Sequence, residues 1–307
     1  MPDIEVVIVN YKRPDNLTPI LQAFRSQSVP CSTMVIECAP EPRWETPVDS
    51  QLCDQLLRMH QNFGAYNRFL AGFMHEKEFT YFHDDDMLPG RRLLEHFLRT
   101  TELVPQFGVL GQCGRLFPAE MKRYSARNVA RADHPVPVDM IVRGYFVRTR
   151  HLHYVLPLKW ALGFTGVQED DMLLSCGLRM FGRLQSYLTP LSQDPEERMA
   201  RKELPSPHAC SSRPGHFEIR SQWLRRLAEL GWPDLLSPGV ETAVGIKSLG
   251  GEASVEGSLS SKRELTLGEN PASAIQSSAL ARRIPHETGR ADDVQDGNTL
   301  MASNFPL

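Results

Sequence analysis

The chain has 307 residues, with 34 basic and 37 acidic side chains, a formal net charge of −3, and 41% apolar and 23% charged residues. This ordinary soluble balance excludes a polybasic nucleic-acid or membrane-surface protein, and the length suits one large domain or two modest ones. Charge is uneven: residues 237–307 hold nine acidic and six basic groups and one aromatic (Phe305), whereas residues 1–236 are neutral overall. The tail is Ser-, Gly- and Ala-rich without periodicity, which predicts disorder over 237–307 and a folded body over 1–236.

The six cysteines have no metal-type spacing, so reduced thiols in a cytoplasmic protein are expected. No apolar run approaches the roughly 18 residues of a membrane span, which leaves peripheral membrane contact as the alternative.

In chain order, the β-branched run Ile4 to Val9 predicts a buried parallel strand, and Leu17, Ile20, Leu21 and Phe24 predict a helix to Ser26. A second strand over Thr33 to Cys38 completes a βαβ unit. A loop over 39–50, helices over Gln51 to Met59 and Ala65 to His75, and a strand over Phe79 to Phe82 follow. The alternation continues with a helix over Arg91 to Glu102 and a strand near Val109, then fades over 115–137. Val138 to Phe146 is apolar, Gly163 to Gln168 a loop, and Met172 to Met180 a helix. Asp194 to Glu203 reads as a solvated charge run, and Ile219 to Leu230 as the last helix.

Asp84-Asp85-Asp86, straight after an aromatic strand, is the strongest chemical signal. Side chains alternate along a strand, so Asp84 and Asp86 point together if the geometry persists, and paired carboxylates suit a hard cation such as Mg²⁺ or Mn²⁺. An acidic turn capping the next helix is the plainer reading. Glu169-Asp170-Asp171 opens a helix, where the dipole favours carboxylates whatever their role; the functional reading is a general base facing an acceptor hydroxyl. His216, after Pro214-Gly215, is placed to add a borderline ligand to the carboxylates, and Arg220 one turn later to face a phosphate.

Four ordered stretches, VVIVNYKRPDNL, NFGAYNRFLAGF, YFHDDDMLPG and VQEDDMLL, together resemble the GT-A-fold glycosyltransferases, especially family 2 and the exostosin-type (family 64-like) catalytic domain. VDMIVRGYFVRTRHL and RPGHFEIRSQWL are similar to exostosin-type segments. The resemblance implies a single α/β catalytic domain with a Rossmann-like, mixed, mainly parallel sheet flanked by helices. Its nucleotide-binding half would span about 1–112 and its acceptor-binding half about 113–236. It implies a metal-dependent hexosyl transfer from a nucleotide-sugar, a UDP-sugar favoured, to a hydroxyl on a glycan, lipid-linked or protein acceptor.

By the same resemblance, Asn10, Tyr11 and Arg13 hold the nucleotide, with Asn62, Asn67, Arg68, Asp84, Asp85 and Arg220 also on the donor. Asp84, Asp86 and His216 hold Mn²⁺ or Mg²⁺, and Asp170 with Glu169 forms the catalytic acidic pair. Family 2 members usually invert and exostosin-type members retain; this sequence matches both in part. Two other classes compete. A nucleotidyltransferase would carry a Gly-rich loop after the first strand, where this chain has NYKRPDN. A non-catalytic sugar-nucleotide-binding module would dispense with the acidic clusters.

Overall fold

β1 (Ile4–Asn10) and β2 (Ser32–Glu37) are the first two apolar runs, joined by α1 (Pro14–Arg25). Pro14 stands at the start of α1, where its missing N–H removes no helical bond and its fixed φ suits the turn. The computed structural model describes residues 3–38, 49, 51–59, 64–162, 169–206 and 214–232, so the expected tail, most of the 39–50 loop, the 163–168 loop and Asn62 lie outside the described residues.

The helix expected over 51–59 is instead an edge strand, β3 (Gln55–Arg58), paired parallel to β2. The sheet edge offers β3 a ladder of backbone partners, and that pairing overrides a four-residue apolar spacing readable either way. The helix expected to reach His75 is a 3₁₀ turn (Ala65–Asn67) and one α turn, α2 (Arg68–Ala71). It stops at Gly72, where any Cβ would collide with the Leu152 side chain.

β4 (Phe79–Asp84) runs into the acidic triplet, and β5 (Met87–Leu88), α3 (Leu93–Leu103) and β6 (Phe107–Gly111) follow. The region expected to be irregular contains β7 (Gly114–Leu116), β8 (Arg127–Val129) and β9 (Val136–Val138), strands too short for periodicity to reveal. Next come β10 (Met140–Ile141), β11 (Tyr145–Arg148), α4 (Val155–Leu162), α5 (Asp170–Gly182) and β12 (Gln185–Leu188). β13 (Lys202–Glu203) and α6 (His216–Glu229) complete the described elements. The 194–203 charge run is not wholly solvated, because Glu197 and Met199 are buried and β13 pairs with β5.

Among the described strands, eight form one sheet in the order β3-β2-β1-β4-β11-β6-β12-β9. Six run parallel, while β11 and β9 run against their neighbours, which gives the mixed, mainly parallel sheet expected. The period of two along β1 divides its side chains between two cores. Val6 and Ile8 pack with Leu17, Ile20 and Phe24 of α1 and Phe97 of α3. Val7 and Val9 pack on the other face with Phe69, Leu173 and Leu224, from α2, α5 and α6. Helices therefore cover both faces. A smaller sheet, β10-β7-β8, stands beside this one. No helix of the described residues is long and apolar enough to cross a membrane.

β1 lies between β2 and β4, so the chain leaves it towards one neighbour and returns on its other side. Such a switch in strand order leaves a crevice beyond the carboxyl ends of the two strands, where open α/β sheets bind ligands. The acidic triplet ends β4 at that crevice.

Candidate active site

A cavity of about 810 Å³ opens there. Its wall includes Tyr11, Arg13, Arg68, Asp84, Asp85, Asp86, Asp170, Asp171, His216 and Arg220, so distant sequence signals do meet in one place. Asn10, Asn67 and Glu169 are buried and are not on that wall.

Asn10 Oδ1 accepts from the Arg13 amide at 3.3 Å and shapes the loop after β1. Lys12 in that loop has φ 62, a left-handed conformation that costs a non-glycine residue about 1 kcal/mol and that the surrounding bonds must hold. The Tyr11 amide donates to Asp85 Oδ2 at 3.0 Å, and Arg13 Nη1 bonds to Asp85 Oδ1. Asn16, from the first turn of α1, donates through Nδ2 to the carbonyls of Asp85 at 2.8 Å and Pro205 at 3.0 Å. One buried amide thus ties three segments together.

β4 ends at Asp84, so the strict alternation expected through the triplet does not persist. The three carboxylates nevertheless separate by role. Asp85 is only 7% exposed and is spent on the β1 loop, whereas Asp84 and Asp86 keep 26% and 23% of their side chains open. Ser206 Oγ donates to Asp86 Oδ2 at 2.8 Å, and Arg13 Nη1 lies 3.4 Å from the same oxygen. Arg68 lies between two acids: Nη1 is 2.8 Å from Asp84 Oδ1 and Nε is 3.4 Å from Asp170 Oδ2.

Electrostatics follow from this crowding. Burial pushes the Asp84 carboxyl up to about 7, and the charges of Asp170 and Asp86 add to the rise against the pull of Arg68. Asp170 is raised too, by burial first, with Arg68 opposing and Asp171 reinforcing. The Tyr145 hydroxyl donates to Asp170 Oδ2 at 3.5 Å, and Arg68 packs over the Tyr145 ring. Burial, with Arg220 nearby, lowers the His216 imidazole.

The expected acidic pair divides. Glu169 stands at the N-cap position of α5 without a side-chain capping bond, is fully buried and does not line the cavity. Asp170, one residue on, faces the cavity. Asp171 is taken by Arg220, whose Nη2 lies 2.9 and 2.8 Å from its two oxygens, while Nη1 reaches the Tyr124 hydroxyl at 3.2 Å. Arg220, expected to face a phosphate, is in this structure the tie between α5 and α6. Asn67 likewise turns inward, donating through Nδ2 to Cys38 Sγ at 3.6 Å.

Asp84 and Asp86 offer two partly open carboxylates on one wall, the donor set with which Mg²⁺ or Mn²⁺ is commonly held when substrate phosphates supply further oxygens. The charge crowding at Asp84 is relieved by a cation, so the residues fit one. No three His, Cys, Asp or Glu side chains among the described residues form a ready metal cluster, so Asp84, Asp86 and His216 are not a preassembled triad. His216 is the first residue of α6 rather than part of a preceding loop.

Tyr145, Tyr124, Asn16 and Ser206 are the site residues that sequence reasoning missed. Tyr145 belongs to the quoted VRGYF stretch, but its hydroxyl meets Asp170 only because β11 runs antiparallel to β4. Ser206 carried no sequence signal.

No protein-family model matches the chain, and no curated protein matches it. Among solved structures, S. aureus TarS aligns at 16% identity and TM-score 0.41, covering 62% of this chain and 37% of that one. The TarS 1–349 structure aligns at 16% identity and TM-score 0.39, covering 62% of this chain and 60% of that one. This chain therefore spans less than two thirds of either, and likenesses this weak leave the site's chemistry to its own residues.

Proposed function

We propose that the chain is a glycosyltransferase of the GT-A type, moving a sugar from a nucleoside-diphosphate donor, a UDP-sugar favoured, to a hydroxyl acceptor. The observation that carries this reading is the meeting of Asp84, Asp86 and Asp170 on one cavity wall at the switch in strand order, with Arg68 between them. A metal-only or base-only site needs one of these groups; transfer from a diphosphate to a hydroxyl uses both.

Asp84 and Asp86 would hold a divalent cation, Mn²⁺ or Mg²⁺, which when bound offsets the negative charge of the diphosphate as it leaves. The other tasks fall to the chain. Val9, Tyr11 and Cys38 line the part of the cavity next to β1 and β2 and shape the nucleoside end. Arg68 presents a planar fork to the donor while steering Asp170. Asp170 takes the proton of the acceptor hydroxyl; its raised pKa brings it nearer to neutral pH, where a base is most effective. Tyr145 and Arg68 fix the direction in which its oxygens point. The two sides of the cavity hold donor and acceptor close, which replaces a bimolecular encounter by a unimolecular one.

Thermal unfolding with a panel of nucleotide-sugars, with and without Mn²⁺, tests the reading, since a donor held by the native state raises stability by mass action. A donor-specific rise that needs the cation and vanishes in Asp86→Ala supports it. No response to any nucleoside diphosphate or its sugar would overturn it.

A further inference from the structure

We infer that the acceptor is anionic, a hydroxyl compound bearing a phosphate or carboxylate, and that Arg115 on β7 receives that group. The inference rests on the transferase reading and names the substrate class for the cavity wall that β7 and β8 line.

That wall is the small sheet. β7 and β8 pair antiparallel with Arg115 opposite Asn128, and directly opposed residues share a face. Both line the cavity. Five arginines do so, and four of them meet carboxylates: Arg13 meets Asp85 and Asp86, Arg68 meets Asp84 and Asp170, Arg143 meets Glu203, and Arg220 meets Asp171. Arg115 differs. Among the described residues it forms no ion pair, and its Nη1 donates only to the neighbouring Gly114 carbonyl, at 3.2 Å.

The surroundings share this bias. Residues 114–129 carry Arg115, Lys122, Arg123 and Arg127 against Glu120 alone, within a body of zero net charge. Lys122, Arg123 and Arg127 are exposed, and they too form no ion pair among the described residues. Those three do not line the cavity, so Arg115 is the one cation of this stretch that faces it, and their unpaired charge near the small sheet adds a positive field that favours anions there. A guanidinium fork on a strand matches the paired oxygens of phosphate or carboxylate. Arg115 stands on the small sheet, apart from the ends of β1 and β4 where the donor groups gather. Tyr124 and Phe217, stacked with centroids 6.3 Å apart, line the same cavity and give the carbon skeleton of a polyol or sugar a flat apolar face.

The test titrates wild type, Arg115→Gln and Arg115→Lys with glycerol 3-phosphate, glycerate and neutral glycerol, each protein both free and saturated with UDP and Mn²⁺. Wild type is expected to bind an anion but not glycerol. Arg115→Gln should weaken that binding about 10- to 100-fold, with UDP affinity unchanged and Arg115→Lys intermediate. Preference for glycerol 3-phosphate identifies a phosphate-bearing acceptor; preference for glycerate identifies a carboxylate. Equal anion binding by wild type and Arg115→Gln would overturn the inference, as would no anion binding by wild type. Loss of UDP affinity in Arg115→Gln would overturn it as well, by placing Arg115 on the donor. Failure of wild type to bind UDP or any other nucleoside diphosphate would instead overturn the transferase reading, and the nucleotide-free titration then still decides for or against Arg115.

Discussion

The Arg220–Asp171 pair allows a worked prediction, because the sequence points Arg220 at a ligand and the structure gives it to the fold. Both side chains are sealed, 7% and 8% exposed, with Nη2 within 2.9 Å of both carboxylate oxygens. Arg220→Met leaves Asp171 buried with, among the described residues, only the Met172 amide, 2.7 Å from its Oδ1, donating to it. Removing one member of a buried pair costs about 3–5 kcal/mol, and that remaining amide places this case near 3. Asp171→Leu strands a buried guanidinium that keeps the Tyr124 hydroxyl and ring, so it should cost about the same. Replacing both with apolar groups removes the stranded charge, so the double variant should cost about 2 kcal/mol less than the sum of the singles. Urea unfolding of the four proteins measures this, with m-values compared to confirm a common unfolding reaction. Strictly additive effects, or single variants within about 0.5 kcal/mol of wild type, would refute the assignment of Arg220 as a structural tie.

Three further outcomes are expected. Asn16→Ala removes both amide bonds that join Asp85 and Pro205; it should cost about 1–3 kcal/mol in urea unfolding and lower cation affinity, whereas unchanged cation affinity would separate the loop from the site. Burial, with Arg150 and Arg148 beside it, pushes the His151 imidazole down to about 4. The unfolded chain then binds the extra proton between about pH 6.5 and 4, so stability present above pH 6.5 is lost on acidification through that window, and His151→Gln should lessen the loss by about 1–2 kcal/mol. Matching pH profiles for wild type and variant would contradict this. Asp170→Asn should preserve donor binding, measured calorimetrically, while reducing turnover about 10²- to 10⁴-fold; full turnover would remove Asp170 from the proton transfer.

The long apolar elements were legible in the sequence because burial on both faces leaves little choice of residue. β1, α1, β2, β4, α3, α5 and α6 all follow from periodicity or β-branched runs. β3 was misread because four residues cannot distinguish one apolar period from another, and β7 to β10 were hidden because two- and three-residue strands have no period. In the site, acidic clusters announced themselves, but their division of labour did not. Asp85 serves the loop through Arg13, Asp171 serves α6 through Arg220, and Glu169 is buried behind its neighbours; each is a matter of which way one side chain turns. Arg115 lay in a stretch legible only as basic, and its meaning comes from the pairs its fellow arginines make.

The most direct measurement of the central claim is the product released from a UDP-sugar in the presence of Mn²⁺, resolved chromatographically for wild type, Asp86→Ala and Asp170→Asn. The account predicts UDP and transferred or hydrolysed sugar from wild type, none from Asp86→Ala, and a trace from Asp170→Asn despite intact donor binding. Release of pyrophosphate from a nucleoside triphosphate and sugar phosphate in place of this reaction, or wild-type turnover by Asp86→Ala, would contradict it.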